Sequence, residues 1–260
     1  MRAGMKIEEI IKENSIQSGK PKSYYHAYDL LLGNFLNIDS EKIKILEMGL
    51  GRHPPPIDRH PLNIWQKYFD NCHVFGLDTN AGHLRHSSPL SKDGKSEISV
   101  YVGKQQDIEL LDKIVERAGG SIDVIIDDAS HGMMEQQTSF FHLFPKLSPG
   151  GLYFIEDLQT SFFEVGVKSA NRSEYPIAVK EENELRTAEL ASMLSLISIA
   201  QSRICQAKAN INDNELRRLI IKKQFSRVIG LLKEGELEML FDNVESVFSH
   251  PTFIAIRKRK

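Results

Sequence analysis

Short apolar runs alternating with helical patterns constrain the fold of this chain more than any other feature. Ile43–Met48, His73–Leu77, Ile98–Val102, Ile122–Asp127 and Leu152–Ile155 are brief and rich in Ile, Val, Leu and Phe, the composition of buried strands. Between them, Ile64, Trp65, Tyr68 and Phe69 share one helical face behind Pro61, which can open a helix. Leu110, Leu111, Ile114 and Val115 mark a second helix that stops at Gly119-Gly120, and Phe140, Phe141 and Phe144 mark a third. Such βαβα alternation predicts a Rossmann-like α/β fold, a mostly parallel sheet covered on both faces. Two late runs, Val244–Phe248 and Phe253–Ile256, bring the strands to seven and predict an antiparallel ending.

The rest of the chain is read around that frame. Residues 5–13 and 24–36 predict two amphipathic helices joined by the polar stretch Asn14–Lys22. They define an N-terminal helical segment, 1–40, packed on a domain over 41–260. Residues 159–183 are polar and irregular, suited to a loop over a site. Leu190, Met193, Leu194, Ile197 and Ile204 lie on one face of a following helix, giving an insertion over about 158–210 and a possible homo-oligomer surface. Residues 80–97 read as an exposed excursion. With 260 residues and a net charge of −2, the chain has no basic field to hold nucleic acid. No run approaches the roughly 20 apolar residues of a membrane span. Two cysteines, Cys72 and Cys205, without zinc-like spacing suit a reducing cytoplasm.

Chemistry gathers at the strand ends. Ile126-Asp127-Asp128-Ala129-Ser130-His131 closes the fourth run and Ile155-Glu156-Asp157 closes the fifth. A parallel sheet delivers both ends to one carboxyl-edge crevice. Asp127, Asp128, Glu156 and Asp157 cannot share that crevice fully ionised without a compensating cation. The expectation is a divalent metal beside a titratable His131. The bland alternatives are a helix cap at Asp127, a loop histidine at His131 and a salt-bridged strand end at Glu156-Asp157. His53 and His60 could line an acceptor pocket, but a solvent-exposed loop is the favoured expectation for both.

A ligand site is expected at the first three strand ends. Glu47-Met48-Gly49-Leu50-Gly51 follows the first run, and its glycines let backbone approach a ligand. Pro54 stands where a dinucleotide fingerprint has its third glycine, so the expected cofactor lacks a pyrophosphate. Asp78 closes the second run, where an acid either accepts ribose hydroxyls or caps a helix. Gln105 and Asp107 follow the third, placed either to read an adenine edge or, for Asp107, to cap the helix from Ile108. Asp127 faces the same end.

Together these residues resemble the class I S-adenosylmethionine-dependent methyltransferases over roughly 43–257. More narrowly, Asp127-Asp128-x-Ser130-His131, Ile155-Glu156-Asp157, Asn63-Ile64-Trp65 and the run Phe144–Leu152 resemble the metal-dependent sugar O-methyltransferases of macrolide tailoring. That resemblance implies S-adenosylmethionine held by Glu47, Gly49, Gly51, Asp78, Gln105, Asp107 and Asp127. It implies Mg²⁺ or Mn²⁺ on Asp128, Glu156 and Asp157, a general base at His131, and a sugar or other small-molecule hydroxyl as acceptor. The chain departs from the family at Lys104, where an acid is commoner, and in the proline-rich loop Arg52–His60. Rival readings are an N-methyltransferase, whose Asn/Asp-Pro-Pro-aromatic motif is replaced here by Asp127-Asp128-Ala129-Ser130, and a non-catalytic nucleoside-binding protein.

Overall fold

A computed structural model describes residues 5–35, 42–87, 95–158, 197, 235–250 and 252–260. The chain forms two compact units, 1–129 and 130–260. The expected long helix around 190–204 and the loop over 159–183 lie outside the described residues, except for Ile197.

The first unit carries four parallel strands: β1 (Ile43–Met48), β2 (Cys72–Asp78), β3 (Glu97–Val102) and β4 (Ile122–Asp127). Their order is β3-β2-β1-β4, so the chain starts in the middle and reverses direction between β3 and β4. The register is continuous: Met48 lies opposite Leu77 on one side and Asp127 on the other, and Asp78 lies opposite Val102. All four strands therefore end at one edge, the place where open α/β sheets bind ligands. Val74, Phe75, Ile45, Leu46, Val124 and Ile125 are fully buried, as parallel strands covered on both faces must be.

Helices α1 (Ile7–Glu13) and α2 (Lys22–Leu32) pack together, with α1 also on α3 (Asn63–Tyr68). α1 buries Ile7 and Ile10, and α2 buries Tyr24, Tyr25 and Tyr28; Tyr28 meets Trp65 edge to face at 5.4 Å. α4 (Ile108–Arg117) starts where Asp107 caps it and buries Leu111, Ile114 and Val115. It ends in Gly119 and Gly120, both at positive φ, where residues without a Cβ pay no steric penalty.

The second unit holds α5 (Met133–Leu143), β5 (Leu147–Ile155), a helix over Glu236–Asn243, β6 (Val244–Ser249) and β7 (Ile254–Lys258). β7 lies between β5 and β6 and runs antiparallel to both. The expected seven strands are thus present, with the last one reversed. Arg257 and Lys258 belong to this packing rather than to a wholly solvated tail. Arg257 donates to the Gly150 carbonyl (3.0 Å), and Lys258 Nζ donates to the carbonyls of Pro145 (2.6 Å) and Leu147 (2.7 Å).

Residues 80–87 are largely exposed, as their polarity suggests, but two histidines anchor them to the core. Ala81–His86 is a 3-10 helix capped by Asn80, whose side chain accepts from the Gly82 N–H, and it buries His83 and His86. Residues i and i+3 eclipse one another in a 3-10 helix, so both imidazoles turn to the same side.

Candidate active site

The glycine loop is built by close backbone approach. Gly49 has φ +89°, and a Cβ there would stand 2.0 Å from the Asp128 carbonyl oxygen. No other residue fits that crossing between the ends of β1 and β4. Gly51 has φ +94°, is exposed, and meets no atom where a Cβ would project. Asp78 ties down the same loop: its Oδ2 accepts from the Leu50 N–H (2.7 Å) and its Oδ1 from the Asn80 N–H (2.7 Å).

Two buried polar pairs line this edge. Gln105 Nε2 donates to both oxygens of Asp127 at 3.0 Å, and both residues are buried. Asp127 is therefore not a helix cap; it is held by the residue expected beside it at the cofactor. Asp107 does take the capping role, accepting from the Leu110 N–H at 3.1 Å.

Glu47, only 2% exposed, accepts from Trp65 Nε1 at 2.7 Å. Its other oxygen lies 3.1 Å from Lys20 Nζ, and the same ammonium lies 2.5 Å from Asp128 Oδ2. The Lys20 side chain is 7% exposed. Within the first unit, then, the cation that compensates the strand-end acids is an amino-acid side chain. Reading the sequence missed Lys20 because it lies in the polar connector before α2, and nothing local distinguishes it from a solvated lysine.

A second set of residues was also missed. His60, expected in solvent, is fully buried with His83 and His86, and one ring nitrogen from each lies within 4.8 Å of the others. The hydrogen bonds fix the tautomers. The Leu62 N–H donates to His60 Nδ1 (3.2 Å), so the neutral ring carries its hydrogen on Nε2 and donates it to His83 Nδ1 (3.0 Å). His83 Nε2 in turn donates to the Gly51 carbonyl (2.9 Å). Burial, together with the neighbouring His86, His83 and Arg85, lowers the His60 pKa to about 3, and burial and Arg85 lower that of His86 to about 4. The cluster works as a neutral hydrogen-bonded strut beneath the glycine loop. The available signal was the spacing His83-x-x-His86.

In the second unit, His131 and Asp157 stand out by backbone. They have φ +56° and +54°, and Ser15 is the only other non-glycine residue with positive φ among the described residues. Such conformations cost about 1–3 kcal/mol each and persist where surrounding structure enforces them, commonly at functional positions. His131 Nε2 lies 3.5 Å from Asp157 Oδ2, at ion-pair distance, and both side chains are partly exposed. Glu156 is buried at the end of β5, and its carbonyl accepts from Gln136 Nε2 at 3.5 Å.

Comparison with known proteins places this fold among the Rossmann-like methyltransferases. The chain matches the MycE methyltransferase of the mycinamycin biosynthetic pathway, solved with Mg, SAH and mycinamycin VI, with a TM-score of 0.65 and 21% identity, covering 99% of this chain and 56% of that one. Its sequence relatives are sugar O-methyltransferases. Mycinamicin VI 2''-O-methyltransferase of Micromonospora griseorubida is 33% identical over 138 residues, 50% of this chain and 31% of that protein. The 8-demethyl-8-alpha-L-rhamnosyl tetracenomycin-C 2'-O-methyltransferase of Streptomyces olivaceus is 33% identical over 151 residues, 57% and 38% respectively. The matches cover only about a third of the length of these curated relatives. No protein-family profile matches the sequence.

Proposed function

We propose that the chain is an S-adenosylmethionine-dependent, Mg²⁺-assisted O-methyltransferase acting on a hydroxyl of a sugar or related small molecule. The observation that carries this reading is His131 facing Asp157 at 3.5 Å, both held in left-handed backbone, the one three residues after Asp128 and the other next to Glu156 in the sequence. Likeness to sugar O-methyltransferases in sequence and to MycE in fold supports it.

The residues fit the groups this chemistry needs. The open space at Gly51, the loop tied to Asp78 and the Gln105–Asp127 pair suit an adenosyl ligand without a pyrophosphate. Asp128, Glu156 and Asp157 would hold the ion, and oxygen donors suit Mg²⁺ or Mn²⁺. When bound, the ion would supply positive charge that orients the acceptor hydroxyl and lowers its pKa. Methyl transfer from the sulfonium is an in-line displacement, so the pocket's task is alignment and exclusion of water. His131 takes the hydroxyl proton as general base. Asp157, beside Nε2, stabilises the imidazolium that results.

No described helix is long and apolar enough to cross a membrane. We place the protein in the cytoplasm as a small-molecule enzyme with no nucleic-acid partner. The homo-oligomer surface expected over 190–204, outside the described residues apart from Ile197, stays part of this proposal.

Calorimetry with S-adenosylmethionine and S-adenosylhomocysteine tests the cofactor first, and heat at micromolar ligand is expected. Turnover on glycosylated acceptors should then vanish in EDTA and in Asp128→Ala or Glu156→Ala, with S-adenosylhomocysteine affinity retained. Activity surviving in those variants would remove the metal from the proposal.

A further inference from the structure

Lys20 is a buried cation with two acids to serve. Glu47 is the fixed partner: it is buried and anchored by the Trp65 indole N–H. Asp128 is the releasable partner, with 23% of its side chain exposed at the open end of β4. The Lys20 ammonium contacts both carboxylates at once, and withdrawing it from either leaves that carboxylate in need of another cation. If Asp128 is taken by another cation, Lys20 and Glu47 remain a neutral pair at 3.1 Å, with no charge stranded.

We infer that Lys20 is the resident counter-ion of the site, exchangeable for a divalent metal: its ammonium neutralises Asp128 until the metal arrives, then withdraws onto Glu47. This rests on the metal reading proposed above and adds a specific role for the N-terminal segment. Lys20 thereby sets the threshold of metal binding, because every ion that binds Asp128 must first displace it. It is a positioning residue rather than a catalytic one, since it acts through Asp128.

Magnesium chloride titrated into the full chain by calorimetry tests this, alongside a separate titration with S-adenosylhomocysteine. Lys20→Met should bind Mg²⁺ roughly tenfold tighter or more, the effect expected when an ammonium in direct contact no longer competes for the carboxylate. Lys20→Arg keeps the charge and should keep the weaker, native affinity. Because Lys20→Met leaves Glu47 buried without a cation, the double variant Lys20→Met/Glu47→Gln supplies the same test in a neutral background. It should also bind Mg²⁺ more tightly than the native chain. Equal or weaker Mg²⁺ binding in both Met variants, or tight binding in the Arg variant, would overturn the exchange. Absence of Mg²⁺ binding in every form, with S-adenosylhomocysteine still bound, would instead overturn the metal reading on which the exchange depends.

Discussion

At the residue scale, backbone strain falls on the two side chains proposed as general base and metal ligand. His131 and Asp157 occupy left-handed backbone that glycine adopts freely. His131→Gly should therefore relieve strain and raise the melting temperature by a few degrees, the scale of about 1 kcal/mol in a chain of this size. It should also lower turnover by roughly 10²–10⁴-fold, the usual contribution of a general base. A variant less stable than the native chain would mean that the imidazole holds this turn together rather than being held by it. Glu47 supports a second expectation. Trp65→Phe keeps the packing against Tyr28 but removes the donor to a buried carboxylate oxygen. Chemical denaturation should show a loss of about 1–3 kcal/mol, the cost of leaving such a group unsatisfied.

At the element scale, the loop after β1 separates two glycines that look alike in sequence. Gly49→Ala drives a Cβ into the Asp128 backbone, so it must push β1 and β4 apart at their ends and should unfold the chain or cost several kcal/mol. Gly51→Ala meets no atom. It should cost only about 1 kcal/mol of backbone strain while weakening S-adenosylhomocysteine binding by filling the space. The ratio of the two effects, read from denaturation and calorimetry, distinguishes a packing glycine from a ligand-facing one. The strands themselves were legible because buried parallel strands are written as runs of Ile, Val and Leu, and β1 and β4 match those runs residue for residue. The sequence pattern places the fifth strand at Leu152–Ile155, whereas β5 begins at Leu147, since Pro149-Gly150-Gly151 reads locally as a turn. The anchoring of the 3-10 helix is not legible in the sequence because its two buried histidines count as polar in any periodicity argument. Lys20 escaped for a different reason: its acids lie 27 and 108 positions away along the chain, and no local pattern carries a contact of that range.

At the scale of the whole molecule, burying neutral histidines ties stability to pH. His60 is held at about 3, and His73 and His86 at about 4, each by desolvation first, against an ordinary value of 6.5. Above about pH 6.5 these rings are neutral in folded and unfolded chains alike and stability does not depend on them. As the pH falls from 6.5 towards 4, the unfolded chain binds protons at all three rings while the folded chain does not, and linkage drains stability over that interval. Half-buried Asp29 acts in the opposite sense: partial burial raises its pKa above 3.8, so the folded state takes up a proton before the unfolded one. It is one group against these three rings and His250, whose pKa burial also lowers, and it acts at the acid end of the window. The melting temperature should accordingly be level between pH 8 and about 7, then fall steadily to pH 5. His86→Gln should flatten part of that fall, because the glutamine has no proton to gain. A profile level down to pH 5 would mean that the folded chain already accommodates imidazolium beneath Gly51. The strut would then be a charged one, and its hydrogen bond to the glycine loop would carry positive charge towards the ligand.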